Sequence, residues 1–270
     1  MIIRNRLFIC FSLFVLLISL VGTEARAQEP DTLRQKPNLK MDQTDKYKIW
    51  GTAIGIFDVQ DTKMSPMVYS GPSLGFERNA LRTTPKFTHY TNFNMHYALL
   101  LGPSNADSYM HGAIFRINRG MLYQLKSDHW KVGGSADLEA RGRIFPKIGN
   151  DAFGIDLYAR LNLAAAYTFD FKFRKANNTL DIRAEVPLFA AVMRFPDYSI
   201  GSVNFLFMPG GQFKALRTKF TWIRAFKYSN ENRYAFSYEW DFFTFKEYDK
   251  LFKTVSGAHI LSYTYWLKTK

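Results

Sequence analysis

A histidine beside a serine or a carboxylate is a familiar route to hydrolytic chemistry. The five histidines are His89, His96, His111, His129 and His259. An esterase or lipid deacylase would need one of them to activate a serine, but no His-x-Ser pair occurs. His259 and Ser262 stand three apart, so on an extended strand they point to opposite faces. A protease would group carboxylates with a histidine, yet there is no Asp-x-Asp or Asp-x-His. Asp128-His129 lies in a short polar stretch and reads as a turn pair. His89 and His96 differ in parity, so they make no metal pair, and no other grouping has zinc-ligand spacing. His96 shares its parity with Asn92 and Asn94 and reads as a hydrogen-bonding residue of a polar face. Phosphate-loop and dinucleotide fingerprints are absent. The sequence therefore assigns no catalytic residue, no cofactor and no metal, and the expectation is a non-enzymatic chain.

The charged residues are more orderly, and they lead to the elements that carry them. In 153–173, Ile155, Leu157, Ala159, Leu161, Leu163, Tyr167, Phe169 and Phe171 share one parity, while Asp156, Arg160, Asn162, Thr168 and Asp170 share the other. Successive side chains of a strand point to opposite faces. Strands in soluble sheets usually run about 5–6 residues, so a strand of this length with aromatics toward one end suits a membrane barrel, one face to lipid and one to the lumen. The pattern recurs. In 131–145, Asp137, Glu139, Arg141 and Arg143 oppose Ala136, Leu138 and Ile144. In 179–194, Asp181, Arg183 and Glu185 oppose Leu180, Ile182, Ala184, Val186, Leu188, Ala190 and Val192. In 232–244, Arg233, Glu239 and Asp241 oppose Phe236, Tyr238 and Trp240. Asn92, Asn94 and His96 oppose Phe93, Met95 and Tyr97, and the last segment sets Leu261, Tyr263 and Tyr265 against Ser262 and Thr264. Weaker strands cover 47–58, 67–78, 109–125 and 214–228. Arg119 falls on an apolar parity, which suggests a bulge at Arg119-Gly120 or a rim position.

Length and composition agree. The chain has 270 residues, 17% of them aromatic, with Lys+Arg 36 against Asp+Glu 23. That is too aromatic for disorder, and a single cysteine excludes a disulfide scaffold. Arg4 and Arg6, the apolar run 7–21 and Ala25-Arg26-Ala27 describe a secretory signal peptide over 1–27. Cys10 lies within its apolar run, so the mature chain has no thiol and no lipidation site. Removing 1–27 takes away Arg4, Arg6, Arg26 and Glu24 and leaves 33 basic against 22 acidic residues, net +11. Residues 28–46 read as a polar flexible leader, and 47–270 as the barrel.

Lipid satisfies no backbone group, so the sheet must close on itself. Short polar turns at 127–129, 174–178 and 229–232 mark one end. Longer loops at 59–66, 102–108, 146–152, 195–213 and 246–253 mark the other. Treating 195–213 as one long loop makes ten antiparallel strands; a hidden hairpin there would make twelve, an even count either way. A ten-stranded lumen is narrow enough for side chains to fill. The inward charges, Asp137, Glu139, Arg141, Arg143, Asp156, Arg160, Asp181, Arg183, Glu185, Glu239 and Asp241, together with Arg116, Asp170 and Arg233, should pair across strands as a polar plug. The alternative is a charged narrow pore for small polar or anionic solutes.

Two stretches carry a resemblance. The first is Asp61-Thr62-x-x-Ser65-Pro66-x-x-Tyr69-x-Gly71, continuing to Phe76-Glu77-Arg78. The second is Leu180-x-x-Arg183-x-x-x-Pro187-Leu188, continuing to Phe195-Pro196-Asp197-Tyr198. Their order and spacing are similar to a family of Bacteroidota outer-membrane barrels catalogued as a domain of unknown function. The resemblance implies a bacterial outer-membrane location and a barrel fold, and transfers no catalytic residue. Physically, Gly71, Pro72 and Gly75 should bend one strand, and Pro187, which has no N–H, demands a bulge or an unpaired position in another. Together they suggest one kinked region of wall under loop 195–213. Phe195, Pro196, Asp197, Tyr198, Phe205 and Phe207 of that loop are the candidate docking surface for a protein partner. The expected role is accessory or docking subunit of a larger envelope complex; a channel is the alternative and a lipid-modifying enzyme the least supported. Basic residues near the rims would meet anionic lipid headgroups, and the exported address argues against nucleic acid.

Overall fold

The structure, a computed structural model, describes residues 44–62, 65–103, 109–127, 129–146, 152–173, 176–195, 204–209, 211–226, 229–246 and 253–269. Residues 1–43, which hold the expected signal peptide and nearly all of the expected leader, lie outside the described residues. Eleven strands follow one another: β1 (Asp45–Asp61), β2 (Ser65–Thr83), β3 (Phe87–Leu101), β4 (Tyr109–Gln124), β5 (Trp130–Phe145), β6 (Ala152–Phe173), β7 (Ala176–Phe195), β8 (Asn204–Pro209), β9 (Lys214–Phe226), β10 (Ser229–Lys246) and β11 (Lys253–Thr269). Asp45 and Lys46, assigned by sequence to the leader, belong to β1; Asp45 pairs with β2, and Lys46 with both β11 and β2.

Each strand pairs antiparallel with its neighbour in sequence, except around β8. β7 pairs with β6 on one side and with β9 on the other, and β1 pairs with β11 over the whole of its length. Ten strands therefore close a barrel. Tracing paired residues round the wall from Asp45 leads back to β1 at Phe57, a stagger of twelve residues. For ten strands that stagger tilts each strand by about 40°.

Strand β8 corrects the reading of 195–213 as one loop. Its six residues pair with Phe189–Arg194 of β7, above the stretch of β7 that pairs with β9. β8 and β9 thus share one edge of β7, which is why an extra strand leaves the closure at ten. Alternation was the missed signal: Leu206 and Met208 are buried, and Phe205 and Phe207 are exposed.

Pro187 behaves as its chemistry requires. The β6–β7 register shifts at Leu161/Asn162, where Leu161 faces Phe189 and Asn162 faces Pro187. Leu188 is the extra residue. This bulge reverses the parity of β7, so Ala190 and Val192, expected outward, point inward and are fully buried, while Phe189 and Phe195 turn outward. Gly71 and Pro72 interrupt the β2–β3 ladder between Ser70 and Ser73. A Cβ at Gly71 would lie 1.9 Å from the Leu99 carbonyl oxygen. The two kinks do not form one region, however: β2 and β7 lie half the barrel apart. Arg119 occupies no bulge. Its register with Thr91 and Ala136 is regular, and it faces outward five residues in from the end of β4.

Candidate functional site

The lumen is layered along the barrel axis. At the loop end one apolar cluster includes Phe57, Tyr69, Leu100, Met110, Phe145 and Ile260. Beside it Tyr158, Phe213, Phe243 and Phe245 pack with Leu206 and Met208 of β8. Phe213, from the crossing between β8 and β9, is fully buried, its ring 5.4 Å from Phe243 and 5.6 Å from Phe245. At the turn end Tyr47, Ile49, Ile223 and Trp266 form one cluster, and Tyr90, Leu122, Ala164 and Ala166 another.

Between these layers lies a belt of charge. Inward positions of adjacent strands bring it together. Arg116 of β4 donates to Glu139 of β5 at 2.7 Å and to Glu239 of β10 at 3.0 Å, and also holds Asp241. Arg160 of β6 sits 2.7 Å from Asp137 and 2.6 Å from Glu139. Arg217 of β9 reaches Asp137 at 2.8 Å and Glu185 at 3.2 Å. Lys219 donates to Glu77 at 3.3 Å. Arg141 holds Glu139 and lies 4.4 Å from the Phe243 ring. Hydroxyls complete the acceptors: Tyr90 and Ser135 donate to Glu185 at 2.9 and 3.3 Å. A second tier lies nearer the loop end. Arg143 bonds Asp61 at 2.9 Å and Asp156 at 2.5 Å, and Arg194 bonds Asp156 at 3.0 Å, Thr254 at 3.3 Å and Asp61.

The sequence-derived set mostly converges. Asp137, Glu139, Arg141, Arg160, Glu185, Glu239 and Asp241 meet in the belt, and Arg143 and Asp156 in the second tier. Asp181 and Arg183 stand apart on the turn side, 3.9 Å from each other, with Arg183 4.0 Å above the Tyr90 ring. Asp170 is exposed near the end of β6, where Thr179 donates to it. Five network members were missed by sequence reading: Asp61, Glu77, Arg194, Arg217 and Lys219. Arg194 was hidden by the bulge, which reverses its parity. Arg217 and Lys219 alternate with Leu216, Thr218 and Phe220, a legible pattern in a strand that sequence reading had rated weak.

The voids are small. One cavity of about 60 Å³ lies on the turn side between Glu77, Asn79, Tyr90, Arg183 and Trp266, and one of about 30 Å³ lies near Phe57, Arg141 and Tyr158. The turn-side cavity has room for a few waters, which would meet the unbonded Asn79 Oδ1 and Arg183 Nε. His96 faces the lumen as expected, but among the described residues neither ring nitrogen has a hydrogen-bond partner. Gly75 leaves a slot for its ring, and the Phe57 ring lies 5.5 Å away. His259 pairs through Nδ1 with the Tyr238 hydroxyl at 2.7 Å on the outward face, away from Ser262. At the turn end Lys268 donates to Asp45 at 2.9 Å, a bond that raises the ammonium pKa above its ordinary value.

Of the candidate docking residues, Phe195, Phe205 and Phe207 lie outward at the loop end, 39%, 60% and 55% exposed. Phe207 stacks on the exposed Phe189, 6.1 Å between ring centres. Pro196, Asp197 and Tyr198 lie outside the described residues.

A family model described as a protein of unknown function (DUF3316) matches residues 7–221. No curated protein matches. Among solved structures the chain is similar to the outer membrane protease OmpT from Escherichia coli, at 6% identity, covering 88% of this chain and 99% of that one, with a TM-score of 0.47. It is also similar to the translocator domain of the autotransporter NalP from Neisseria meningitidis, at 10% identity, 82% and 89% coverage and a TM-score of 0.42. The toluene transporter TodX from P. putida aligns at 8% identity, with 83% and 90% coverage and a TM-score of 0.36. The barrel assignment itself rests on the strand pairing.

Proposed function

The chain belongs to the DUF3316 family, and from that premise we propose that it is a sealed bacterial outer-membrane barrel acting through its outer surface, as a non-enzymatic docking subunit of an envelope complex. The membrane location is supported by the outward face, which is apolar along β6 from Phe153 to Phe171, and by strands tilted as in membrane barrels. Sealing is supported by the belt of paired charges held between two apolar layers. A water-filled channel would hydrate these charges; here most of the belt side chains are less than a tenth exposed.

The observation that carries docking is β8. Among the described residues it pairs with β7 alone and ends the sheet order. An edge strand is a ready template for another chain, and here it stands beside the exposed Phe189, Phe205 and Phe207. Aromatic clusters of this kind are enriched at interface centres.

The test combines two measurements on the mature chain. In planar bilayers the barrel shows no steady conductance. A photocrosslinker at Phe205, in membranes of the native host, traps one partner species, and Phe207→Asp abolishes that product while the barrel still migrates as a folded species. Steady conductance, or crosslinking to lipid only, would refute the proposal.

A further inference from the structure

The lumen pairs its charges, but the outer wall on β1–β4 does not. One paired row runs Lys48–Ala80–Thr91–Arg119 across these four strands, every side chain outward and exposed. Arg78 and Arg82 flank Ala80 along β2. Adjacent strands lie about 4.8 Å apart and residues rise about 3.4 Å. All four cationic Cα atoms therefore fall within about 8 Å of the midpoint between Ala80 and Thr91, well inside the reach of their side chains. The short side chains of Ala80 and Thr91 make a floor, and the four cations stand round it. No outward carboxylate lies on the turn-side half of these strands. Among the described residues Lys48, Arg82 and Arg119 have no ion-pair partner, while Arg78 lies 4.6 Å above the Trp50 ring. On the loop side of the cradle the wall turns apolar at once, with Phe93, Ile117 and Met95.

We propose that this cradle binds the phosphate headgroup of an anionic lipid in the leaflet on the turn side, with the acyl chains lying along Phe93, Met95 and Ile117. This rests on the reading of the chain as a membrane barrel. Four cations within reach of one point match a phosphate anion, and Thr91 adds a hydroxyl donor. The apolar wall directly above suits a ligand with chains, which separates a lipid from free phosphate.

The test uses the refolded mature chain in zwitterionic phosphatidylcholine nanodiscs doped with phosphatidylglycerol, with bound phosphatidylglycerol read by native mass spectrometry. Arg78→Gln with Arg119→Gln removes two of the four charges and lowers affinity about thirtyfold. Lys126→Gln with Lys172→Gln removes two exposed cations elsewhere and leaves affinity within about twofold. Equal losses in the two variants would overturn the site, because the effect would then be net charge alone. Displacement of phosphatidylglycerol by millimolar inorganic phosphate would overturn the lipid as occupant. Insertion of every variant into undoped nanodiscs is the separate check on the membrane reading: failure of the parent chain to insert refutes that reading, whereas insertion without lipid preference refutes only the cradle.

Discussion

Replacing Glu139 by glutamine removes one charge from the centre of the belt and almost no volume. Its side chain is fully buried and accepts from Arg116, Arg160 and Arg141. Arg116 keeps Glu239 and Asp241, and Arg160 keeps Asp137. Among the described residues Arg141 keeps the Ser256 hydroxyl, at 2.5 Å, and the Phe243 and Tyr158 rings, but no carboxylate. The variant thus leaves one guanidinium buried without its counter-charge. Breaking a buried pair in this way costs about 3–5 kcal/mol, and the two arginines that keep carboxylates place the expectation near the lower end, about 3 kcal/mol. Denaturant unfolding in lipid vesicles, followed by tryptophan fluorescence, measures the loss. Adding Arg141→Gln should return part of it, because the stranded charge is then gone. Raising salt should leave the loss unchanged, since a dry belt is poorly screened. A loss under about 1 kcal/mol that shrinks with salt would be the behaviour of exposed pairs. That result would refute the sealed lumen.

Two further outcomes follow from the wall. Deleting Leu188 removes the β7 bulge but lets Phe189 follow Pro187 in the register that Leu161 and Asn162 already set, so Val192 and Arg194 stay inward and the variant should keep the heat-resistant folded band on gels; deleting Ala191 instead turns Val192 and Arg194 outward, leaves Arg143 alone with Asp61 and Asp156, and should lose that band. Gly71→Ala pushes a methyl into the Leu99 carbonyl and should destabilise by about 1–3 kcal/mol, while Gly142→Ala, with nothing within 4 Å of its new methyl, should be within about 0.5 kcal/mol of the parent in the same unfolding assay.

Period-two alternation carried the sequence reading well where strands are regular. β5, β6 and β10 have the expected faces, and most of their inward charges meet, Asp170 and Arg233 excepted. Alternation fails where the backbone changes phase, because a one-residue slip sends every later side chain to the other face. Pro187 announced that some irregularity must occur, but the residue that absorbs it, Leu188, depends on how β6 pairs. Arg194 was therefore missed. β8 was obscured for a related reason: six alternating residues inside a Gly-rich stretch look the same whether they pair with β7 or hang as a loop. Glu77 lay in a strand whose outward face carries Arg78 and Arg82, which blurs the contrast that parity needs, and Asp61 fell in the stretch 59–66 that reads as a loop. The cradle was invisible in sequence because its four cations come from three separate strands and meet only through the pairing that brings Lys48 and Arg119 level with Ala80, between Arg78 and Arg82.

The seam between β1 and β11 joins the two ends of the described chain, about two hundred residues apart, through sixteen paired residues. No local event can form it. Contacts this remote are slow to find, because the chain between them must be ordered first. Until β11 arrives, β1 and β10 each present a full-length bare edge, the arrangement most open to pairing with another copy. The order of events is then set by topology: hairpins zip from neighbour to neighbour, the belt assembles as opposing strands approach, and the last strand locks both at once. A chain truncated before Lys253 would keep nearly all of its charged belt and still have no route to a closed state, so its fate is a matter of kinetics and self-association, not of weakened contacts.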